Sequence, residues 1–133
     1  MAIVIGVVLA LIVGAMATVV GLDRDRAFYP TVMIVIAAYY ALFALMGATA
    51  PVLVLEILAG AVFLIAAVSG FRWSLWLVVA ALAAHGVFDL VHHDLIADPG
   101  VPAFWPGFCL AYDVVAAGYL AWLITSGRVR AAA

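Results

Sequence analysis

The chain has no lysine and a single cysteine, Cys109, and only 9% of its 133 residues carry a charge. One cysteine excludes an intrachain disulfide and a metal cage built of cysteines alone. No basic run and no interleaving of basic with aromatic residues occurs, which argues against nucleic acid as a partner. Low-complexity segments, flexible linkers and internal repeats are missing as well, so residues 1–133 read as a single transmembrane domain. What fills the chain instead is hydrocarbon: 71% of residues are hydrophobic, where a soluble domain is about half apolar and about a quarter charged. The formal charge of −2 says little about partners, because the placement of the charges matters more than their sum.

A helix that crosses a bilayer needs about 20 predominantly apolar residues. Five such runs are present, at approximately 2–22, 31–48, 52–69, 74–96 and 107–126. The first ends at "DRDR" and the second follows Pro30, a residue suited to a first helical turn. "TAP" separates the second run from the third, "GFRW" the third from the fourth, and the turn-rich "ADPGVPAFWPG" the fourth from the fifth. With five spans, Arg24, Arg26, Arg72, Arg128 and Arg130 all fall on one side. By the positive-inside rule that side is the cytoplasm, with the N-terminus outside and the C-terminus cytoplasmic. Trp73 and Trp76 at the inner level, and Phe104 and Trp105 at the outer, suit interfacial aromatic belts. A cleaved signal peptide is the rival for the first run, since "AMA" at 15–17 looks like a cleavage site. No positive residue precedes that run, however, and cleavage would leave "DRDR" outside. Fusion of the second and third runs into one bent hairpin is a further alternative. The expected class is an all-α integral membrane protein, a five-transmembrane-helix bundle of a bacterial cytoplasmic membrane.

All three histidines lie in "HGVFDLVHHD", residues 85–94. At 100° per residue, His85, Asp89 and His92 project within about 60° of one another, with His93 about 40° beyond Asp89 and Asp94 on the opposite face. Hydrocarbon penalises such a stripe, so it should face protein or water. Ala80, Ala81, Ala83, Ala84 and Gly86 surround it and permit close helix approach. A rise of about 1.5 Å per residue puts Asp89 and Asp113 about 10 Å below the outer interface, Glu56 about 8 Å and His85 about 16 Å. Three carboxylates from three helices are thus expected at one level beside the histidines. Cys109 precedes Asp113 by one turn, and Tyr112, Tyr119, Tyr39 and Tyr40 could donate hydrogen bonds to a buried acid. Gly6, Ala10, Gly14 and Thr18 in the first run follow small-xxx-small spacing. That face suits packing, and a homo-oligomer or another membrane partner could use it.

Each polar residue also has a plain explanation. His92, His93 and Asp94 near a helix end can be hydrated, His85 can bond a carbonyl, Cys109 can be a small packing residue, and "DRDR" can be a solvated anchor. Intramembrane carboxylates are harder to dismiss, and are functional candidates by default. Metal binding is the first function they suggest, with Asp89, His92, His93, Asp113 and Glu56 as ligands. Imidazole with carboxylate favours zinc, iron, manganese or copper. His85 and His92, about 10 Å apart along one helix, are too far apart to share an ion.

Proton chemistry without metal is the second, with His85, Asp89 and Asp113 as catalytic groups and Glu56, Tyr112 and Cys109 touching a small apolar ligand. A histidine beside an acid can supply a general base and a general acid near neutral pH. The layout, "HGVFD" on one helix and "GFCLAYD" on the next, resembles the emopamil-binding sterol isomerases, five-span proteins whose histidine and acidic residues move protons in an apolar pocket. The resemblance covers two helices, in a different chain order and with other spacings, so it implies only that such chemistry is feasible on this scale.

The leading expectation is therefore a His/carboxylate pocket in the outer half of the bilayer. It would bind a metal ion or small apolar ligand and act on a lipid-like substrate by acid/base or metal-assisted chemistry. The alternative is a non-catalytic subunit, or an ion- or proton-translocating protein whose polar cluster pairs with a partner. Against translocation, the cytoplasmic half offers only Thr18 and the mid-membrane tyrosines as polar lining, and five helices lack the even inverted repeats of many transporters.

Overall fold

Five helices, each long and apolar enough to cross a membrane, make up the protein. The computed structural model describes residues 1–132, among which there is no strand. The first helix, α1, is Ala2–Val20. It stops at Gly21, whose φ of 88° places it in the left-handed region, from where its N–H bonds the Ala17 carbonyl. Glycine occupies that cap position without a Cβ penalty. Helix α2, Phe28–Gly47, starts three residues before the apolar run suggested, because Pro30 sits inside its first turn rather than ahead of it. Ala48 and Thr49 are extended, so the chain breaks before α3, Ala50–Arg72, and the fused hairpin is not formed. Helix α4 is Trp76–Leu95 and ends where Ile96 turns extended. Helix α5, Trp105–Thr125, carries Pro106 in its first turn.

In space the helices follow the order α1, α5, α4, α3, α2, and α2 also reaches α4. Small residues decide the closest of these contacts. Gly6, Ala10, Gly14 and Ala17 form the buried face of α1, and a Cβ at Gly6 would collide with the Phe108 carbonyl of α5. The small-residue face of α1 is therefore consumed inside the chain. Helix α3 is the most outward of the five, burying only Glu56, Ala67 and Gly70. Val54, Leu58, Val62 and Ile65 stand exposed along its outer face, an apolar surface that suits lipid rather than water.

The three arginine-bearing segments meet at one end of the bundle. Arg26, itself at a left-handed φ of 71°, donates to the Phe71 carbonyl at 2.8 Å and so ties the first loop to the end of α3. The Leu75 N–H donates to the Ala131 carbonyl at 2.7 Å, tying the tail to the α3–α4 junction. Asp23 is buried at this same end, accepting a 2.7 Å bond from Thr18. Thr18 in turn lies 3.1 Å from the Tyr119 hydroxyl, a polar contact that the sparse polar lining of this half had not suggested.

Candidate functional site

Most of the polar side chains expected to converge do turn inward. Glu56 and Asp113 are fully enclosed, and His85, Asp89 and His92 are 1–2% exposed. Helix α4 supplies the centre. His85, Asp89 and His92 lie on its buried side together with Val78, Ala81, Leu82 and Gly86. Gly86 lies in the contact of α4 with α5, where an added Cβ would make ordinary van der Waals contact, 3.4 Å from the Leu110 carbonyl and 3.5 Å from the Asp113 Cβ.

The enclosed groups form two sets. In one, at the middle of α4, His85 Nδ1 is 2.7 Å from Asp113 Oδ2 and 3.6 Å from Asp89 Oδ2. Tyr40 of α2 donates to Asp89 Oδ1 at 2.5 Å. One ligand atom from each of His85, Asp89 and Asp113 lies within 4.8 Å of the other two. In the other, near the C-terminal end of α4, His92 Nε2 is 2.7 Å from Glu56 Oε1. The Tyr40 ring joins the sets, stacking on His92 with centroids 3.9 Å apart and planes 18° apart. Phe63 stands edge-on to His85 at 4.7 Å and Phe88 edge-on to His92 at 5.3 Å, so both imidazoles are walled by aromatic rings.

Four residues differ in placement from the single cluster that the spacing suggested. His93 is exposed near the end of α4, as is Asp94, outside the buried stripe of His85, Asp89 and His92. Glu56 pairs with His92 instead of completing the group around His85. Tyr112 and Cys109 line a separate apolar cleft of about 350 Å³ between α1 and α2. Cys109 is buried at the floor of that cleft, one turn before Asp113 on α5.

Three carboxylate oxygens of these two sets have no hydrogen-bond partner although they are buried: Glu56 Oε2, Asp89 Oδ2 and Asp113 Oδ1. Buried polar atoms are nearly always satisfied, so such orphans call for a proton, a water or an ion. No arginine relieves them, since the bundle carries its arginines at the opposite end. Asp89 and Asp113, both facing one imidazole nitrogen, can hold a cation or share protons. Sequence spacing does not single out Tyr40 among the tyrosines, nor the flanking Phe63 and Phe88, because the rotation of each helix about its axis is set by packing.

No protein-family model, no curated protein and no solved structure matches the chain. The likeness of two helices to the sterol isomerases therefore carries no assignment, and function has to be argued from the site.

Proposed function

We propose that this is a multi-pass protein of the bacterial cytoplasmic membrane, N-terminus outside, that binds a divalent transition-metal ion through His85, Asp89 and Asp113. One observation carries the reading. Asp89 Oδ2 and Asp113 Oδ1 are buried without partners on two acids that both approach His85 Nδ1. Two carboxylates and a neutral imidazole leave a charge that a divalent cation neutralises, where burial of uncompensated charge is otherwise costly. The donor set suits zinc, iron, manganese or copper. Ligands at about 2.0–2.2 Å from a tetrahedral ion lie about 3.4 Å apart, so the 3.6 Å separation of His85 and Asp89 already fits. The 2.7 Å contact of His85 with Asp113 has only to open by less than about 1 Å. Three protein ligands would leave a coordination position open, as in sites that do chemistry rather than sites that only brace a fold. Tyr40, bonded to the other oxygen of Asp89, would orient that ligand.

Elemental analysis of detergent-purified protein tests this. The expected result is one transition-metal ion per chain, lost in Asp89→Asn and in Asp113→Asn and retained in His93→Ala, whose imidazole is exposed. The second reading, proton transfer without metal, is supported by the contacts already formed between His85 and Asp113 and between Tyr40 and Asp89. Folded protein that is metal-free as isolated, and takes up none of the four ions when they are supplied, would overturn metal binding and leave the second.

A further inference from the structure

The five arginines share one end of the bundle, and what they touch there divides them. Arg26 donates to the Phe71 carbonyl at the end of α3, and the Arg24 side chain lies against Gly21, the cap of α1. Arg72, Arg128 and Arg130 stand exposed, and among the described residues no carboxylate pairs with any of them. The two acids of this end are engaged elsewhere. Asp23 is buried and accepts from Thr18, and Asp25 accepts from the Ala27 N–H. Three cations are left without a counter-charge.

The tail is folded, which gives these cations a fixed place. Gly127, at a φ of 70°, follows α5 in a turn where the Arg128 N–H bonds the Leu123 carbonyl at 2.9 Å, a cap that glycine favours. Val129 is drawn into the core, and Arg128 and Arg130 flank it on the surface. Beyond them the Leu75 N–H donates to the Ala131 carbonyl at 2.7 Å, and Ala132 pairs with Ser74. Arg130 is thereby held beside the start of α4, while Arg72 closes α3 just before that junction. The first turn of α4 contains no acid, so the partial positive charge of its free amides adds to theirs. Aromatic rings stand at the same end. The Arg128 guanidinium lies over the Trp122 ring, 4.7 Å from its centroid, and Trp73 and Trp76 are exposed at the junction.

We infer that Arg72, Arg128 and Arg130 form a headgroup site for an anionic phospholipid, its phosphate held by the guanidinium groups and its upper chain carbons lying against Trp73, Trp76 and Trp122. Guanidinium forks match the oxygens of a phosphate in pairs, and tryptophan settles where headgroups give way to tails. The level of the charges favours a lipid over a soluble anion. The tail does not project from the bundle, because Val129 and Ala131 hold it against the helix ends, where headgroups lie. Soluble polyanions are met by basic runs, and no two arginines here are adjacent. The site is separate from the His85–Asp89–Asp113 group and needs no metal there.

The test is native mass spectrometry of the full-length protein in detergent, titrated with phosphatidylglycerol and phosphatidylcholine of identical chains. The first phosphatidylglycerol should bind at least about 20-fold more tightly, since each arginine near a membrane surface contributes about five-fold. Arg128→Gln and Arg130→Gln should each lower that preference about five-fold, and the triple variant with Arg72→Gln should abolish it. All three positions are exposed, so these variants fold. Arg24→Gln removes the same charge at the end of α1 and should leave the preference nearly unchanged. Val129→Ser keeps every charge but loosens the tail, and the preference should fall although the net charge is the same. Equal binding of the two lipids would overturn the inference, as would a preference that survives the triple substitution. An effect of Arg24→Gln as large as that of Arg128→Gln would overturn it by showing a diffuse field in place of a site. Displacement of phosphatidylglycerol by excess inorganic phosphate would overturn it by naming a soluble anion as the occupant. Metal content should stay the same in all of these variants, so either proposal can fail without the other.

Discussion

Replacing Tyr40 by phenylalanine isolates one hydroxyl at the centre of the polar group. The ring stays, so its stack on His92 at 3.9 Å and its edge contacts with Phe43 and Phe88 persist. What goes is the bond to Asp89 Oδ1. Asp89 Oδ2 already lacks a partner, so the variant leaves both oxygens of a buried acid unsatisfied. A hydrogen bond to a charged group contributes about 1.5–3 kcal/mol, and an orphaned buried acceptor sits toward the upper part of that range. Tyr40→Phe should therefore cost about 2 kcal/mol in reversible unfolding from mixed micelles. Because Tyr40 orients a ligand, metal affinity measured by competition with a chelator should fall about 10- to 100-fold. Tyr39→Phe is the control. Its ring stacks on Phe43 and meets Trp105 at a tilt at the edge of the cleft, and its loss of a hydroxyl should stay within about 0.5 kcal/mol. The double variant with Asp89→Asn measures the coupling directly, expected between about 0.5 and 3 kcal/mol for residues in contact. A coupling near zero, with unchanged metal affinity in Tyr40→Phe, would refute the claim that this hydroxyl positions Asp89.

The packing of α1 on α5 is tested by paired glycine substitutions. Gly6→Ala meets the Phe108 backbone and should destabilise by about 1–3 kcal/mol. Gly118→Ala, with nothing within 4 Å of the new methyl, should be neutral or gain up to about 1 kcal/mol of helix propensity; equal effects would show that α1 does not sit on α5 as described. Glu56→Leu should cost about 3–5 kcal/mol by leaving His92 buried without its partner, and Glu56→Leu combined with His92→Leu should recover most of it. If the double variant is no more stable than the single one, the couple has a role beyond its own pairing. Orientation is read from cysteine labelling in intact cells, where buried Cys109 should give a low background. Asp25→Cys should be shielded from an impermeant reagent and Ala97→Cys should react. The opposite pattern overturns the assigned direction.

Much of the fold was legible because lipid-crossing helices must satisfy their own backbone, so apolar runs and their interruptions mark element boundaries directly. The five runs and the breaks at "DRDR", "TAP", "GFRW" and "ADPGVPAFWPG" correspond to helices and connections. The displaced ends are local effects. Pro30 reads as a boundary in the sequence but is absorbed in the first turn of α2. Ser74 and Leu75 continue the fourth apolar run, but the Leu75 N–H is engaged by the Ala131 carbonyl before α4 begins. Neighbour relations were not legible in the same way. Nothing in the pattern says that α5 lies between α1 and α4, because contacts between apolar helices in lipid depend on shape and not on burial from water. Gly6 and Gly14 hinted that α1 approaches something closely, without saying that it is the Phe108 carbonyl and the Tyr119 ring.

The site was legible to the extent that it depends on one helix. On α4 the arc from His92 through His85 to Asp89 spans about 60° and is buried, while His93, a further 40° round, falls outside it. A narrow interior arc is what a helix gains when it packs closely against a neighbour, and Gly86 sits within that contact with α5. The pairing across helices depends on more than depth. Glu56 and Asp113 are expected within a few ångströms of one level, and they approach α4 from different neighbours, α3 and α5. Glu56 meets His92 and Asp113 meets His85, two histidines that share one arc of α4 but lie about 10 Å apart along it. Depth counted from helix ends is too coarse to separate levels two turns apart, because the tilt and offset of each helix are set by packing. Position along α4 divides the groups into a couple and a three-residue set, and the latter brings three candidate ligand atoms within 4.8 Å of one another.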